Sequence, residues 1–230
     1  MKKVNSIFDV LGPIMIGPSS SHTAGAARLA KIASYIAGEN IVSVKFYLHG
    51  SFKHTYKGHG TDRALLAGIM GLEPYDERLR NSFDLAQEKN LKYEFIPADL
   101  GLVHPNTVKF VIENSLGETT VVTGSSVGGG EVLITNINGY DVSVTGYYHT
   151  IILYYTDVKG VISNISGILA MDGINIATMN VSRKSKGREA TMIIEVDGNV
   201  NYETIEKIRE IELITSIIEV KPIKGGEINV

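Results

Sequence analysis

The chain has 230 residues, 43% of them hydrophobic and 20% charged, with a formal net charge of -3. That much apolar material supports one large domain or two modest ones, and two are expected from a change of pattern near residue 150. With 22 Lys and Arg spread along the chain, no basic field forms to hold a polyanion, which argues against nucleic acid as a partner; with 0 cysteines, disulfides, thiolate-held zinc, a nucleophilic thiol and any iron-sulfur cluster held by this chain's own cysteines are excluded.

The start, MKKVNSIFDV, lacks the apolar core and cleavage site of a secretory leader. No later stretch approaches the roughly 18 uninterrupted apolar residues of a membrane span, so a cytoplasmic protein without membrane contact is expected. The serines of residues 19–21 precede a helix over 23–37, in which Ala26, Leu29, Ala30, Ala33, Ile36 and Ala37 recur at helical spacing and Gly38 gives the stop. A strand follows at 41–48. The glycine-rich turn at Gly58 and Gly60 leads into a small-residue helix over 62–70, and a third helix covers 81–89. Strands are expected at 93–96, 107–114, 118–123, 131–137 and 140–145, with Gly117 and Asn138-Gly139 as hairpin turns.

After Thr150 the order becomes strand, helix, strand, strand, helix, strand. A strand at 151–156 is followed by a helix that begins at Gly160, carries Val161, Ile165, Ile168 and Leu169 on one side, and ends at Asp172-Gly173. Strands at 174–183 and 190–196 flank an exposed turn at 184–188, an amphipathic helix spans 202–211, and a strand at 216–222 closes the set. This order suits a ferredoxin-like βαββαβ sandwich, with two helices covering one face of a four-stranded sheet. The expected fold class is therefore α+β: a mixed α/β domain over 1–147, the βαββαβ domain over 148–223, and a loosely held tail over 224–230.

Three polar constellations could carry chemistry. GPSSSHTAG, residues 17–25, gathers hydroxyls and a histidine ahead of a helix. Free N–H groups and the positive end of the helix dipole attract a carboxylate there, Ser20, Ser21 and Thr23 can add hydrogen bonds to it, and His22 can exchange a proton near neutral pH. The alternative is that Ser20 or Ser21 is simply the helix N-cap, which would explain one serine of the run. KGHGTD, residues 57–62, frees the backbone around His59 before the next helix; on local sequence alone a glycine-rich turn capped by Asp62 accounts for it. In HPNT, residues 104–107, Pro105 fixes a turn that can point His104 and Asn106 the same way.

The glycines of SVGGG lack nucleotide-loop spacing and sit between two strands, which points to a hairpin or a close backbone approach. His49, His54 and His59 are five residues apart, a spacing that matches no metal site, and no H-E-x-x-H is present; His49, His54 and His149 read as ordinary. No G-x-S-x-G elbow occurs either, so a stand-alone hydrolase using Ser20 or Ser21 has no third triad member.

Taken together and in this order, GPSSSHTAGAARLA, KGHGTDRALLAG, HPNT and SVGGG resemble the beta chains of bacterial iron-sulfur-dependent L-serine dehydratases, and the C-terminal unit resembles an ACT domain. The resemblance spans essentially the whole chain. It implies an L-serine ammonia-lyase, converting L-serine to pyruvate and ammonia, that is inactive without an alpha chain whose cysteines ligate a 4Fe-4S cluster. The missing cysteines agree with that division of labour. It further implies that the loop of residues 19–23 and the His59 turn form the substrate pocket facing the alpha chain. His22 is then the first choice for proton transfer, with His59 second; Ser20, Ser21 and Thr23 serve the substrate carboxylate, and Thr61, His104 and Asn106 serve orientation. Whether a monovalent cation assists, and whether two chains pair through the ACT domain, stays open.

The first segment also resembles the allosteric-substrate-binding domain found beside an ACT domain in some phosphoglycerate dehydrogenases, which implies shared fold and not shared catalysis. In the ACT unit, YTDVKG, residues 155–160, stands where serine-binding relatives show His-x-Asn-x-Pro-Gly. Tyr155, Asp157 and Lys159 replace the His, Asn and Pro, while Gly160 and Asn175 remain in matching places. Tyr155, Asp157, Gly160 and Asn175 are thus the candidate ligand positions of that unit. The rival reading is a regulatory amino-acid sensor built on the ACT domain, which need not have the clustered hydroxyls and histidine of GPSSSHTAG.

Overall fold

A computed structural model describes residues 15–183 and 185–223. The MKKVNSIFDV start, Lys184 of the expected turn and the tail from Lys224 lie outside the described residues. The chain divides into two units, the second comprising mainly Gly146–Pro222.

The first unit opens on a π-helical turn, Ser20–Gly25, that runs directly into α1, Ala26–Ala37. The single helix expected from residue 23 is therefore a wide turn followed by a regular helix, and its cap is Ser19, not Ser20 or Ser21. The extra residue of the π turn moves the start of the structure upstream and changes which serine faces the free amides. β1 (Ile41–Leu48) alternates as its sequence demands, with Val44, Phe46 and Leu48 buried. A short helix unforeseen in the sequence, α2 (Gly50–Thr55), follows it, and then α3 (Thr61–Ile69), a tight turn at Glu77–Asn81 and α4 (Ser82–Glu88). The expected helix over 81–89 thus has its first residue in the tight turn.

β2 (Lys92–Pro97), β3 (Thr107–Asn114), β4 (Thr119–Gly128), β5 (Glu131–Ile137) and β6 (Tyr140–Val144) complete a six-stranded sheet of order β2-β1-β3-β4-β5-β6. β1 runs parallel to β2 and antiparallel to β3. β4 extends well past the expected residue 123. Gly124, Ser125 and Ser126 have little strand propensity, yet all three ladder with β5 and the first two also with β3, so tertiary pairing overrides propensity. The glycines after Ser126 turn the β4–β5 hairpin, as their position between strands suggested.

Small residues bring α1 and α3 into close contact. Ala26, Ala27, Ala30 and Ala33 are fully buried, and a Cβ on Gly68 would overlap the Ala27 carbonyl and sit 2.7 Å from the Ala30 Cβ. No larger residue fits at that crossing. On the sheet, Phe46 stacks on Phe95 with centroids 4.8 Å apart and meets Phe110 edge-on at 5.7 Å.

The second unit contains β7 (His149–Thr156), α5 (Val161–Met171), β8 (Ile176–Arg183), β9 (Glu189–Val196), α6 (Tyr202–Arg209) and β10 (Ile214–Val220). Its sheet has the order β10-β7-β9-β8, antiparallel throughout. Val161, Ile165 and Leu169 of α5 and Ile205 and Ile208 of α6 bury against Ile151, Leu153, Met192 and Ile194. This is the βαββαβ sandwich expected, with element ends displaced by two residues or so where fraying and bulges intervene, as between Ile176 and Thr178.

Candidate active site

The site is assembled at the carboxyl end of β1. His49 N donates to Thr107 O, and Ser51 N, in the first turn of α2, donates to Pro105 O at 2.8 Å, which seats the start of α2 on the HPNT turn. Opposite it lies the π turn. Ser19 Oγ accepts from the His22 amide at 3.2 Å and Ser19 O accepts from Thr23 N at 2.8 Å, which closes the turn and aims the His22 ring. Gly25 presses this turn against β4: a Cβ there would overlap Ser126 Oγ and lie 2.8 Å from Ser126 Cβ. The last glycine of GPSSSHTAG is a close-approach residue.

His22 is engaged on every side. Nδ1 is 3.3 Å from Ser19 Oγ and Nε2 is 3.0 Å from Ser51 Oγ, a residue 29 positions away. The ring meets His59 edge-on with centroids 4.7 Å apart, and Phe52 at 5.1 Å. Burial, and after it the proximity of His59, holds the His22 imidazole below its ordinary pKa, so near neutral pH it is uncharged and able to accept or pass a proton.

Thr23 is buried, and its Oγ1 donates to His59 O at 3.4 Å, so it ties the loop to the His59 turn. Ser20 and Ser21 are half-buried and their side chains make no hydrogen bond among the described residues, which leaves both hydroxyls available. His59 Nδ1, Thr61 Oγ1, Asn106 Oδ1 and Ser126 Oγ are buried without a partner among the described residues. Such groups are expensive to leave unpaired, and these four lie on the segments that meet the π turn, so each is a candidate to bond a ligand. Asn106 is linked to this cluster through its carbonyl, which accepts from Ser126 N at 3.0 Å. His104 is exposed and shapes its own turn: its Nδ1 accepts from Asn106 N at 3.1 Å and its carbonyl accepts from Thr107 Oγ1 at 2.6 Å.

The structure therefore brings together His22, His59 and Thr23 and sets Asn106 against the same β4 segment, while His104 acts on its own loop. Sequence reasoning included Ser19 in the pocket loop without a role of its own, and missed Ser51 and Ser126. At the His59 turn, where the sequence suggested a pocket, lies a groove of about 430 Å³ lined by Gly17, Pro18, Thr23 and His59, with the cations Lys57, Arg63 and Arg80, which sequence reasoning did not single out. Asp62 lies in that groove, and burial raises its carboxyl above the ordinary range. The usable signal for Ser51 was its place just beyond a strand that carries a parallel neighbour, where ligand-binding loops concentrate. Among the described residues no group of three or more His, Asp or Glu could hold a metal ion, and the chain has 0 cysteines.

In the second unit the four candidate ligand positions are differently employed. Tyr155 is 2% exposed and belongs to the core. Asp157 pairs with Arg183 at 2.8 Å and accepts from Gly187 N, contacts that hold its carboxyl below the ordinary range. Gly160 is the cap position just before α5, with φ of 94°, and Asn175 Nδ2 donates to Asp197 Oδ2 at 2.6 Å.

Fold and site together define an α+β protein that joins a histidine- and serine-rich mixed domain to an ACT domain; the ACT domain model matches residues 149–213. The serine dehydratase beta chain model matches residues 6–136. The chain is 45% identical over 212 residues to the L-serine dehydratase beta chain of Peptoniphilus asaccharolyticus, covering 92% of this chain and 96% of that one. It is 38% identical to the probable L-serine dehydratase beta chain of Bacillus subtilis, covering 95% and 99% respectively. A D-3-phosphoglycerate dehydrogenase of Bacillus subtilis is 25% identical over 84% of this chain but only 36% of its own length. The chain belongs to the serine dehydratase beta chain family.

Proposed function

We propose that this chain is the beta subunit of an L-serine ammonia-lyase that converts L-serine to pyruvate and ammonia in complex with a cysteine-bearing alpha chain. The observation that carries the reading is the half-buried His22 imidazole held between two hydroxyls, in a chain that matches serine dehydratase beta chains over nearly its full length. In this reading residues 1–147 form the catalytic part, residues 148–223 the ACT part, and the enzyme works in the cytoplasm. No helix among the described residues is long and apolar enough to cross a membrane.

The family also implies a 4Fe-4S cluster. The donor set of this chain does not fit one, since it offers no thiolate and no clustered ligands among the described residues. The proposal therefore places the cluster on the alpha chain, where it would act as Lewis acid toward the substrate hydroxyl.

This chain's own residues supply the rest. His22 exchanges the proton. The free hydroxyls of Ser20 and Ser21 bond the substrate carboxylate, with Arg63 and Arg80 at the adjoining groove adding positive potential. Thr23 holds the His59 turn in place, and His59, which lines the groove, orients the amino acid, with Thr61 behind it at the start of α3.

Anaerobic co-expression with the alpha chain, followed by a serine-to-pyruvate assay on each chain alone and on the complex, tests the reading. Turnover is expected from the complex only. Activity in this chain alone, or a complex that leaves serine untouched, would overturn it.

A further inference from the structure

We propose that Ser19 and Ser51 are positioning residues that clamp the two ring nitrogens of His22 and hold its proton on Nε2. The assignment follows from counting donors. Ser19 Oγ already receives the His22 amide at 3.2 Å, so the arrangement that also uses the hydroxyl's one hydrogen, and spares the oxygen a second N–H, has the Ser19 O–H donating to His22 Nδ1, 3.3 Å away. Nδ1 is then the acceptor. A neutral imidazole carries one hydrogen, so it resides on Nε2 and is donated to Ser51 Oγ at 3.0 Å.

Ser51 is itself fixed by its backbone, its N–H donating to Pro105 O and its carbonyl accepting from Thr55 Oγ1, both at 2.8 Å. The edge contacts with His59 and Phe52 restrict rotation of the ring, so losing either serine changes the proton's position before it moves the ring. Ser51, having accepted from Nε2, keeps its own O–H to donate outward. It is the first hydroxyl that a proton leaving His22 meets.

The consequence for turnover rests on the dehydratase reading; the proton position is a property of the chain itself. In the ¹⁵N-labelled full chain at neutral pH, long-range N–H correlation of the His22 ring, identified by its loss in His22→Gln, is expected to show a protonated Nε2 and a bare Nδ1. Ser19→Ala should raise the Nδ1–H form. A native ring protonated on Nδ1, or one unaltered by Ser19→Ala, overturns the clamp.

In the complex with the alpha chain, Ser51→Ala should lower kcat on the order of tenfold to a hundredfold, with KM within about twofold and the pH optimum displaced. Ser51→Thr, which restores a hydroxyl, should recover most of the loss. Unchanged kcat and pH profile in Ser51→Ala, or a threonine variant no better than alanine, also overturns it. If the wild-type complex turns over no serine, the functional reading falls and the ring spectrum of the full chain decides the clamp alone.

Discussion

Gly25→Ala tests the seating of the π turn on the sheet. An added Cβ would overlap Ser126 Oγ and stand 2.8 Å from Ser126 Cβ, where carbon atoms pack best at about 3.5–4.0 Å. Rotating the serine side chain moves Oγ but not Cβ, and Ser126 is fully buried on β4, so the π turn or the strand has to shift. Overpacking of this kind costs about 1–3 kcal/mol, offset by the roughly 0.8–1 kcal/mol that alanine gains over glycine in a helical backbone. The net expectation is a loss centred near about 1 kcal/mol and reaching about 2, or roughly 2–8 °C in the melting of the first unit. Because the shift reaches His22 directly, serine turnover by the complex should fall as well. Ser126→Gly removes both atoms in the way, so the double variant should recover at least half of the stability lost, a coupling that independent sites would not show. Thermal and urea melts followed by circular dichroism read both effects. A Gly25→Ala chain that melts with the wild type, or a double variant no better than the single one, would refute the packing argument.

Other expectations are read in the same assays. His22→Ala should lower kcat of the complex on the order of a hundredfold or more, and nearly unchanged turnover would remove His22 from proton transfer. Ser19→Ala should cost about 1 kcal/mol as a lost cap while Ser20→Ala and Ser21→Ala cost little, a ranking that urea melts of the three variants check. Burial lowers the pKa of both His22 and His149, so on acidification the unfolded chain takes up protons before the folded one; stability should fall as pH drops through about 6.5, and His22→Gln and His149→Gln should each flatten that slope. Gly167→Ala, inside α5 with no atom within 4 Å of the new Cβ, should stabilise by roughly 0.5–1 kcal/mol. Titration of the isolated 146–222 segment with L-serine should give no saturable heat, because Tyr155 is buried and Asp157 and Asn175 are bonded internally; saturable heat would restore YTDVKG as a ligand loop.

Much of the fold is legible along the chain because its causes are local. The alternation of Val44, Phe46 and Leu48 writes β1, the small residues of Ala26–Ala37 write a helix that must lie close to another, and the spacing of Val161, Ile165 and Leu169 writes the covering face of the ACT sandwich. GPSSSHTAG announces a polar turn ahead of a helix, and His22 is legible as its one titratable member. Missing cysteines by themselves remove any thiolate ligand for a cluster from this chain.

What the chain order does not disclose is partnership across distance. Ser19 displaces Ser20 and Ser21 as the cap because a π turn adds one residue that no local propensity predicts. Ser51 reaches His22 because β1 delivers α2 to the HPNT turn, and Ser126 lies under Gly25 because β4 stays laddered through residues of low strand propensity. Local sequence determined which groups could do chemistry. Only the tertiary structure decided which of them meet, since hydrogen bonds of about 3 Å select partners by the crossing of elements and not by their order in the chain.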